Sequence, residues 1–219
     1  MSTRSQPAGA RTTSPSSRTS TPGTVEYLAD ERRQASLDGF FAQFSAEERE
    51  GIAAVAMDMW DPYINSTRAN LADAEQKIVF DKFHILKHMG DAVDTVRKQE
   101  HKELRAQGLE ILTGSKYLWL YNEENLPDKH RDRFRALKTL NLKTARSWAI
   151  KESLRVLWHY HRLGWAMRFY KQWFFWATHS RLQPVIEVAY MIKRHLYGVR
   201  NYFSVARITN ECASYCASL

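Results

Sequence analysis

Cysteine is almost missing from this 219-residue chain: Cys212 and Cys216 are the only two, both within the last eight residues. That excludes a disulfide framework and any paired Cys/His zinc spacing, and it fits a reducing, cytoplasmic setting. Glycine is scarce as well. The nine glycines do not cluster, and neither a P-loop nor a Gly-x-Gly-x-x-Gly turn is present, which excludes a nucleotide-cradling loop. No Glu-x-x-x-His zinc pattern occurs. No apolar run approaches the roughly 18 residues that a membrane span needs. The N-terminus has charge but no apolar stretch, so no secretory signal is expected. Residues 1–24 contain no acid and are dominated by Ser, Thr, Pro, Gly and Arg. Pro7, Gly9, Pro15 and Pro22 argue against an amphipathic transit helix there, and a disordered leader is expected.

The chain does have material for a core, with 44% apolar and 12% aromatic residues. Its net charge of +8 is unevenly spread. Residues 1–128 hold 15 Lys/Arg against 20 Asp/Glu, whereas residues 129–219 hold 17 against 4. A field of that kind attracts polyanions, and nucleic acid is its common partner. A solvated basic helical surface is the plainer reading of the same numbers.

Residues 24–28 alternate weakly and predict a short strand. Ser36 opens a helix through Leu37, Phe40, Phe41 and Phe44, and Ser45-Ala-Glu-Glu48 is a capping box for a second, short one. Ile52 to Met57 is apolar throughout and predicts a strand buried on both faces. Residues 61–76, with Pro62, read as polar and irregular, with at most one helical turn. Lys77 to Phe80 predicts the next strand, parallel to the first. A long helix from His84 stops near Gly108, with Ile85, Met89, Val93 and Val96 on one face. Beyond it the pattern is helical only. One helix starts at Asn125-Leu-Pro127, and others cover about 144–162, 164–179 and 184–202, the last opened by Pro184. The order of elements is that of an α/β fold.

Two aspartates close the two predicted strands, Asp58 and Asp81. Open parallel sheets bind ligands beyond the carboxyl ends of their strands. An aspartate there can hold Mg²⁺ while the ion keeps water and phosphate oxygens, and the plainer alternative is a helix cap or a loop acid. Asp81 and His84 stand at the start of the long helix. They can cap it and hydrogen-bond each other, or orient a metal-binding carboxylate. Six of the seven tryptophans lie in the basic region: Trp119, Trp148, Trp158, Trp165, Trp173 and Trp176. Aromatics among Lys and Arg can stack on bases, but Trp158, Trp165 and Trp176 fall at roughly helical spacing from other apolar residues, which assigns most of the tryptophans to the core. Arg133, Lys143, Arg146, Lys151, Arg155, Lys171, Lys193 and Arg194 are the candidates for contact with DNA phosphates.

Several stretches together resemble the transposases of bacterial insertion sequences of the ISL type, across about residues 25–210. They are Asp30-Glu-Arg-Arg-Gln-Ala-Ser-Leu-Asp-Gly-Phe-Phe41, Val55-Ala-Met-Asp-Met-Trp-Asp-Pro-Tyr63 and Lys77-Ile-Val-Phe-Asp-Lys-Phe-His84. Gly114-Ser-Lys-Tyr-Leu-Trp119, Glu124-Asn-Leu126, Ala149-Ile-Lys-Glu-Ser-Leu154 and Arg207-Ile-Thr-Asn210 continue the likeness. The resemblance implies a DDE recombinase in which three acids on a ribonuclease-H-like core bind two Mg²⁺ ions. Such an enzyme hydrolyses DNA at the element ends and joins the 3′ hydroxyl to target DNA. It implies that Asp58 is the second of those acids, and that Asp81 and His84 match an accessory Asp-x-x-His signature.

The organisation implied is a leader over 1–24, a partial ribonuclease-H-like core with a short, mainly parallel sheet over 25–107, a basic, Trp-rich helical insertion over 108–205 and a divergent tail over 206–219. The first acid is expected upstream of Val25 and the third near Ser214, with Glu211 about one helical turn early. The chain therefore reads as a transposase fragment, truncated at both ends of the catalytic domain and inactive. The alternative is a non-catalytic DNA-binding or interfering protein derived from a transposase. The partners expected are insertion-sequence ends, a second copy or an intact transposase, and no membrane.

Overall fold

The computed structural model describes Ser16–Ser17, Tyr27–Leu28 and residues 33–205. Ser16–Ser17 (β1) and Tyr27–Leu28 (β2) pair antiparallel, so the strand expected at 24–28 exists in part and its partner lies inside the expected leader. The rest of that leader and the tail from 206 lie outside the described residues. Helix α1 is Gln34–Phe41 and α2 is Ala46–Glu50. The capping box forms as read: Ser45 N–H donates to Glu48 Oε2 at 2.8 Å and Glu48 N–H to Ser45 Oγ at 3.2 Å.

Val55–Met57 (β3) and Ile78–Phe80 (β4) pair in parallel, with Val55 opposite Ile78 and Met57 opposite Phe80. The expected burial on both faces is not observed. Met57, Ile78 and Phe80 are buried, while Ala56 is exposed. The described helices pack on one face of the pair only, so alternate residues point away from the core.

Residues 61–76 differ more sharply from the expectation. Asp61–Asn70 is a helix of ten residues, α3, and Ala74–Lys77 forms the short α4. Pro62 sits in the first turn of α3, where its missing N–H has no cost and its fixed φ suits the helix. The stretch looked polar because its inner face is polar: Ser66 and Thr67 are fully buried. They are satisfied by short hydrogen bonds. Ser66 Oγ donates to Asp38 on α1 at 2.5 Å, and Thr67 Oγ1 to the Tyr63 carbonyl at 2.9 Å.

Helix α5, Lys82–Ala106, is the longest element. It ends as expected, with Gly108 in the left-handed region at φ +76°. Leu109 N–H donates to the Leu104 carbonyl at 2.9 Å and Gly108 N–H to Arg105 at 3.0 Å, the doubled return that terminates many helices. Short α6, Lys116–Leu120, and a 3₁₀ turn at Glu123–Asn125 precede α7, Asp128–Thr139. Then come α8 (Lys143–Arg155), α9 (Leu163–Thr178), α10 (Gln183–Arg194) and α11 (Leu196–Val205).

Two of the expected helices break early. The one predicted over 144–162 stops at Arg155 and tightens into a 3₁₀ turn, Val156–His159, that buries Leu157 completely. The one predicted over 184–202 breaks at His195. No proline or glycine stands at that break. The turn brings α11 across β4, where the Phe80 ring meets His195 and Tyr197 edge-on at 5.3 and 5.4 Å.

One apolar cluster joins Met57, Ile78 and Phe80 to α5, α8, α9, α10 and α11. It crosses the boundary expected at 107–108. A second cluster lies around α6, α7 and α8, where Phe134 is held edge-on between Trp119 and Trp148 at 5.2 and 5.0 Å. Each fully buried large side chain contributes about 1.5–3 kcal/mol relative to exposure.

Gly198 is where α11 crosses the Phe80 ring. A Cβ added there would lie 2.6 Å from Phe80 Cε2. Alanine is favoured over glycine by about 1 kcal/mol inside a helix, but overpacking a core costs about 1–3 kcal/mol. We therefore expect Gly198→Ala to lower the urea unfolding midpoint. A raised midpoint would mean that α11 does not press on β4.

Candidate functional site

The carboxyl ends of β3 and β4 lie side by side, because Asp81 N–H donates to the Met57 carbonyl at 3.0 Å and extends the parallel register by one residue. Asp58 and Asp81 are thus brought to one edge, each between a strand and the helix that follows it. Half-buried Asp58 accepts the Trp60 N–H at 3.2 Å through Oδ1, which turns the chain into α3. Trp60 then packs edge-on against Tyr63 at 4.7 Å. The two helices leaving this edge present their N-termini to it, a setting that favours negative charge.

Asp81 is occupied by its own helix. Its Oδ1 accepts the Phe83 N–H at 2.9 Å, and its Oδ2 lies 3.1 Å from His84 Nδ1. Its side chain is 12% exposed, so both oxygens are committed in a nearly closed setting. The structural option for this pair is the one the geometry displays. Among the described residues no group of three or more His, Cys, Asp or Glu side chains is gathered for a metal. Asp58 beside an engaged Asp81 does not by itself match the donor set of a two-metal centre. The positions where the first and third acids were expected, upstream of Val25 and near Ser214, lie outside the described residues, as does Glu211.

The eight basic candidates do not share one surface role. Arg146, Lys171, Lys193 and Arg194 are exposed, and the Lys193 ammonium lies over the Phe174 ring at 5.3 Å. Lys143 is exposed but paired with Glu103 at 2.6 Å. Arg133 reaches back to the Thr113 carbonyl.

Lys151 and Arg155 are a correction. The Lys151 side chain is 5% exposed. Its ammonium donates to the carbonyls of Trp119, Leu120 and Tyr121 at 3.3, 3.3 and 3.0 Å. It closes the C-terminus of α6, where a cation is favoured. Burial pulls its pKa below the usual lysine value, opposed by Glu152. Arg155 grips both oxygens of Glu124 and one of Glu152. Both cations are part of the frame, and in this structure neither is available to a phosphate.

Two features escaped the sequence reading. Glu100 on α5 is buried and supplies the N-terminal cap that α8 lacks. Its oxygens accept the Lys143 and Thr144 N–H groups at 2.7 and 2.8 Å and the Thr144 hydroxyl at 2.6 Å. A cap 43 residues upstream leaves no local signal. The other feature concerns the tryptophans. Trp119, Trp148 and Trp173 are buried, but Trp165 and Trp176, two of the three whose spacing pointed to the core, are 55% and 44% exposed. Here a signal existed: Ala166, Tyr170, Trp173 and Ala177 define the buried stripe of α9, and both exposed tryptophans fall off it.

A family model described as a transposase, of the DDE ISL3 type, matches residues 8–213. The chain is similar to the transposase for insertion sequence element IS1001 of Bordetella parapertussis, at 28% identity over 80% of this chain and 43% of that protein. It is also similar to the transposase for insertion sequence element IS1557 of Mycobacterium tuberculosis, at 23% identity over 81% of this chain and 44% of that protein. The chain thus spans less than half the length of these relatives. No solved structure matches it. Among the described residues no helix is long and apolar enough to cross a membrane.

The Glu124–Arg155 pair has a definite pH signature. The Arg155 guanidinium, by hydrogen bonding, holds the Glu124 carboxyl down at about 2, below its ordinary 4.5. A depressed carboxylate adds stability that is complete above the unfolded value and is lost as pH falls through the folded one. Glu124 is largely exposed, with 58% of its side chain in solvent, so solvent screening keeps the effect small. The difference in urea midpoint between the wild type and Glu124→Gln is expected to be constant above about pH 5 and to close progressively toward about pH 2. A difference independent of pH would refute the pairing.

Proposed function

Because the chain belongs to the ISL3-type family of DDE transposases, we propose that it supplies the middle of a ribonuclease-H-like active site and the helical insertion beside it. On this reading residues 25–107 are the partial catalytic core, 108–205 the basic insertion and 206–219 a divergent tail. Asp58 is the second of three acids for two Mg²⁺ ions, and Asp81 with His84 stiffens the wall next to it. The observation that carries the reading is the parallel β3–β4 pair, whose strands deliver two aspartates to one carboxyl edge.

Residues 1–219 by themselves bring one of the three acids. One carboxylate does not hold two ions on either side of an in-line displacement, so this stretch alone is catalytically inactive. The purified chain, with Mg²⁺ or Mn²⁺ and a plasmid carrying the DNA that flanks its coding region, is expected to nick no more than its Asp58→Ala variant does. Nicking that depends on Asp58 would overturn the inactivity.

The uneven charge favours a second reading, in which the chain binds DNA in the cytoplasm without cutting it. It would then occupy insertion-sequence ends, alone, as a second copy or beside an intact transposase. Residues 129–219 carry a net charge of +13, and several of these cations are exposed. Duplex affinity should fall steeply with salt, and Arg146→Ala and Lys171→Ala should each reduce the salt slope by about 1. Lys151→Ala should leave the slope alone and lower the thermal midpoint instead. Negligible binding at low salt would remove this reading.

A further inference from the structure

The outer face of α9 carries aromatic rings and cations together. Trp165, Phe175 and Trp176 are 55%, 64% and 44% exposed, and Arg162, Arg168 and Lys171 are exposed among them. At 100° per residue Trp165, Arg168, Lys171, Phe175 and Trp176 fall within about 140° of arc, opposite the buried stripe of Ala166, Tyr170, Trp173 and Ala177, and Arg162 is the extended residue just before the helix. Single exposed apolar residues are normal on a protein surface, but three large rings in one band mark an interaction site.

Charge decides what kind of partner fits. Residues 156–186 contain no aspartate or glutamate, and they hold Arg162, Arg168, Lys171 and Arg181. An apolar protein surface would gain little from this excess of cations, whereas a phosphate backbone would gain much. The rings are also prepared for stacking. Phe175 and His179 lie nearly parallel, with centroids 3.9 Å apart and planes at 28°. The Arg168 guanidinium lies 5.9 Å from the centre of the Trp165 ring, which ties cation and ring into one platform. Trp165 and Trp176 are eleven residues apart, about 16 Å along the helix, so the band can engage more than one base. Paired bases hide their faces inside the duplex, whereas unpaired bases offer them to aromatic rings.

We propose that the outer face of α9 is a stacking surface for unpaired nucleotides, with Trp165, Phe175 and Trp176 taking base faces and Arg162, Arg168 and Lys171 taking the intervening phosphates. The proposal rests on the reading that the basic half of the chain meets DNA, and it names the strand form that this helix recognises.

Fluorescence anisotropy of the full chain with a labelled oligothymidine, and with a mixed-sequence duplex of the same length, tests it. The wild type is expected to bind the single strand. The double variant Trp165→Ala, Trp176→Ala should weaken that binding about tenfold or more, while duplex binding and the thermal midpoint stay near wild type. Trp165→Phe with Trp176→Phe should retain most of the single-strand affinity. If the alanine variant binds the oligothymidine as well as wild type while the duplex still binds, the stacking surface is refuted and DNA binding stands. If wild type binds neither probe, both readings fall. If the alanine variant only dissolves a self-associated form and leaves single-strand affinity unchanged, the face belongs to a second copy and the proposal is overturned.

Discussion

A parallel ladder of two strands, three residues each, has too little buried surface and too few hydrogen bonds to stand alone. In this protein that ladder is β3–β4, and the position of Asp58 beside Asp81 depends on it. Its support comes from chain that follows much later. Phe80 is buried against His195, Gly198 and Tyr197 of the α10–α11 corner. Asn201 on α11 donates to the carbonyls of Ile78 and Glu75, both at 2.7 Å. More than a hundred residues separate these partners, so the edge that bears the aspartates exists only once the helices have packed.

Helix α5 links the two ends of this arrangement. It begins at Asp81, at the candidate site, and its buried residues contribute to both apolar clusters: Ile85, Met89 and Val96 to one and Val93 to the other. Toward its far end Glu100 caps α8. The caps differ in origin. Asp81 caps its own helix from the adjacent position, whereas α6 and α8 are closed by Lys151 and Glu100 from distant positions. The buried charges of Glu100 and Lys151 are tolerated because each is engaged by several backbone or side-chain partners.

The basic half therefore does two jobs with one residue type. Some cations hold helices together from inside, and others project into solvent along α8, α9 and α10. Composition counts them alike, since net charge carries no information about burial. The same holds for the tryptophans. Their rings serve as core where α9 faces Ile150, as in Trp173, which donates to that carbonyl at 3.0 Å. They serve as surface where the helix turns outward, as in Trp165.

Much of the local structure was legible in the sequence because its causes are local. Ser45 and Glu48 specify a capping box within four residues, Gly108 specifies a left-handed stop, and Asp81 specifies a helix start at the end of an apolar run. The likeness to transposases was legible for a similar reason, since several short stretches carry it independently. What the sequence left open depends on neighbours distant in the chain. Packing made a helix of a stretch that looked irregular, because Asp38 on α1 accepts from Ser66 and Asn70 and so satisfies its polar side chains. Packing against Phe80 bent a continuous helical pattern at His195. Burial took Lys151 out of reach of a partner, ion pairing engaged Arg155, and packing left Trp165 and Trp176 on the surface. Local propensity and capping thus determined which elements form and where most of them start. Only tertiary packing decided which face of each element is covered, and so which charges and rings remain for a partner.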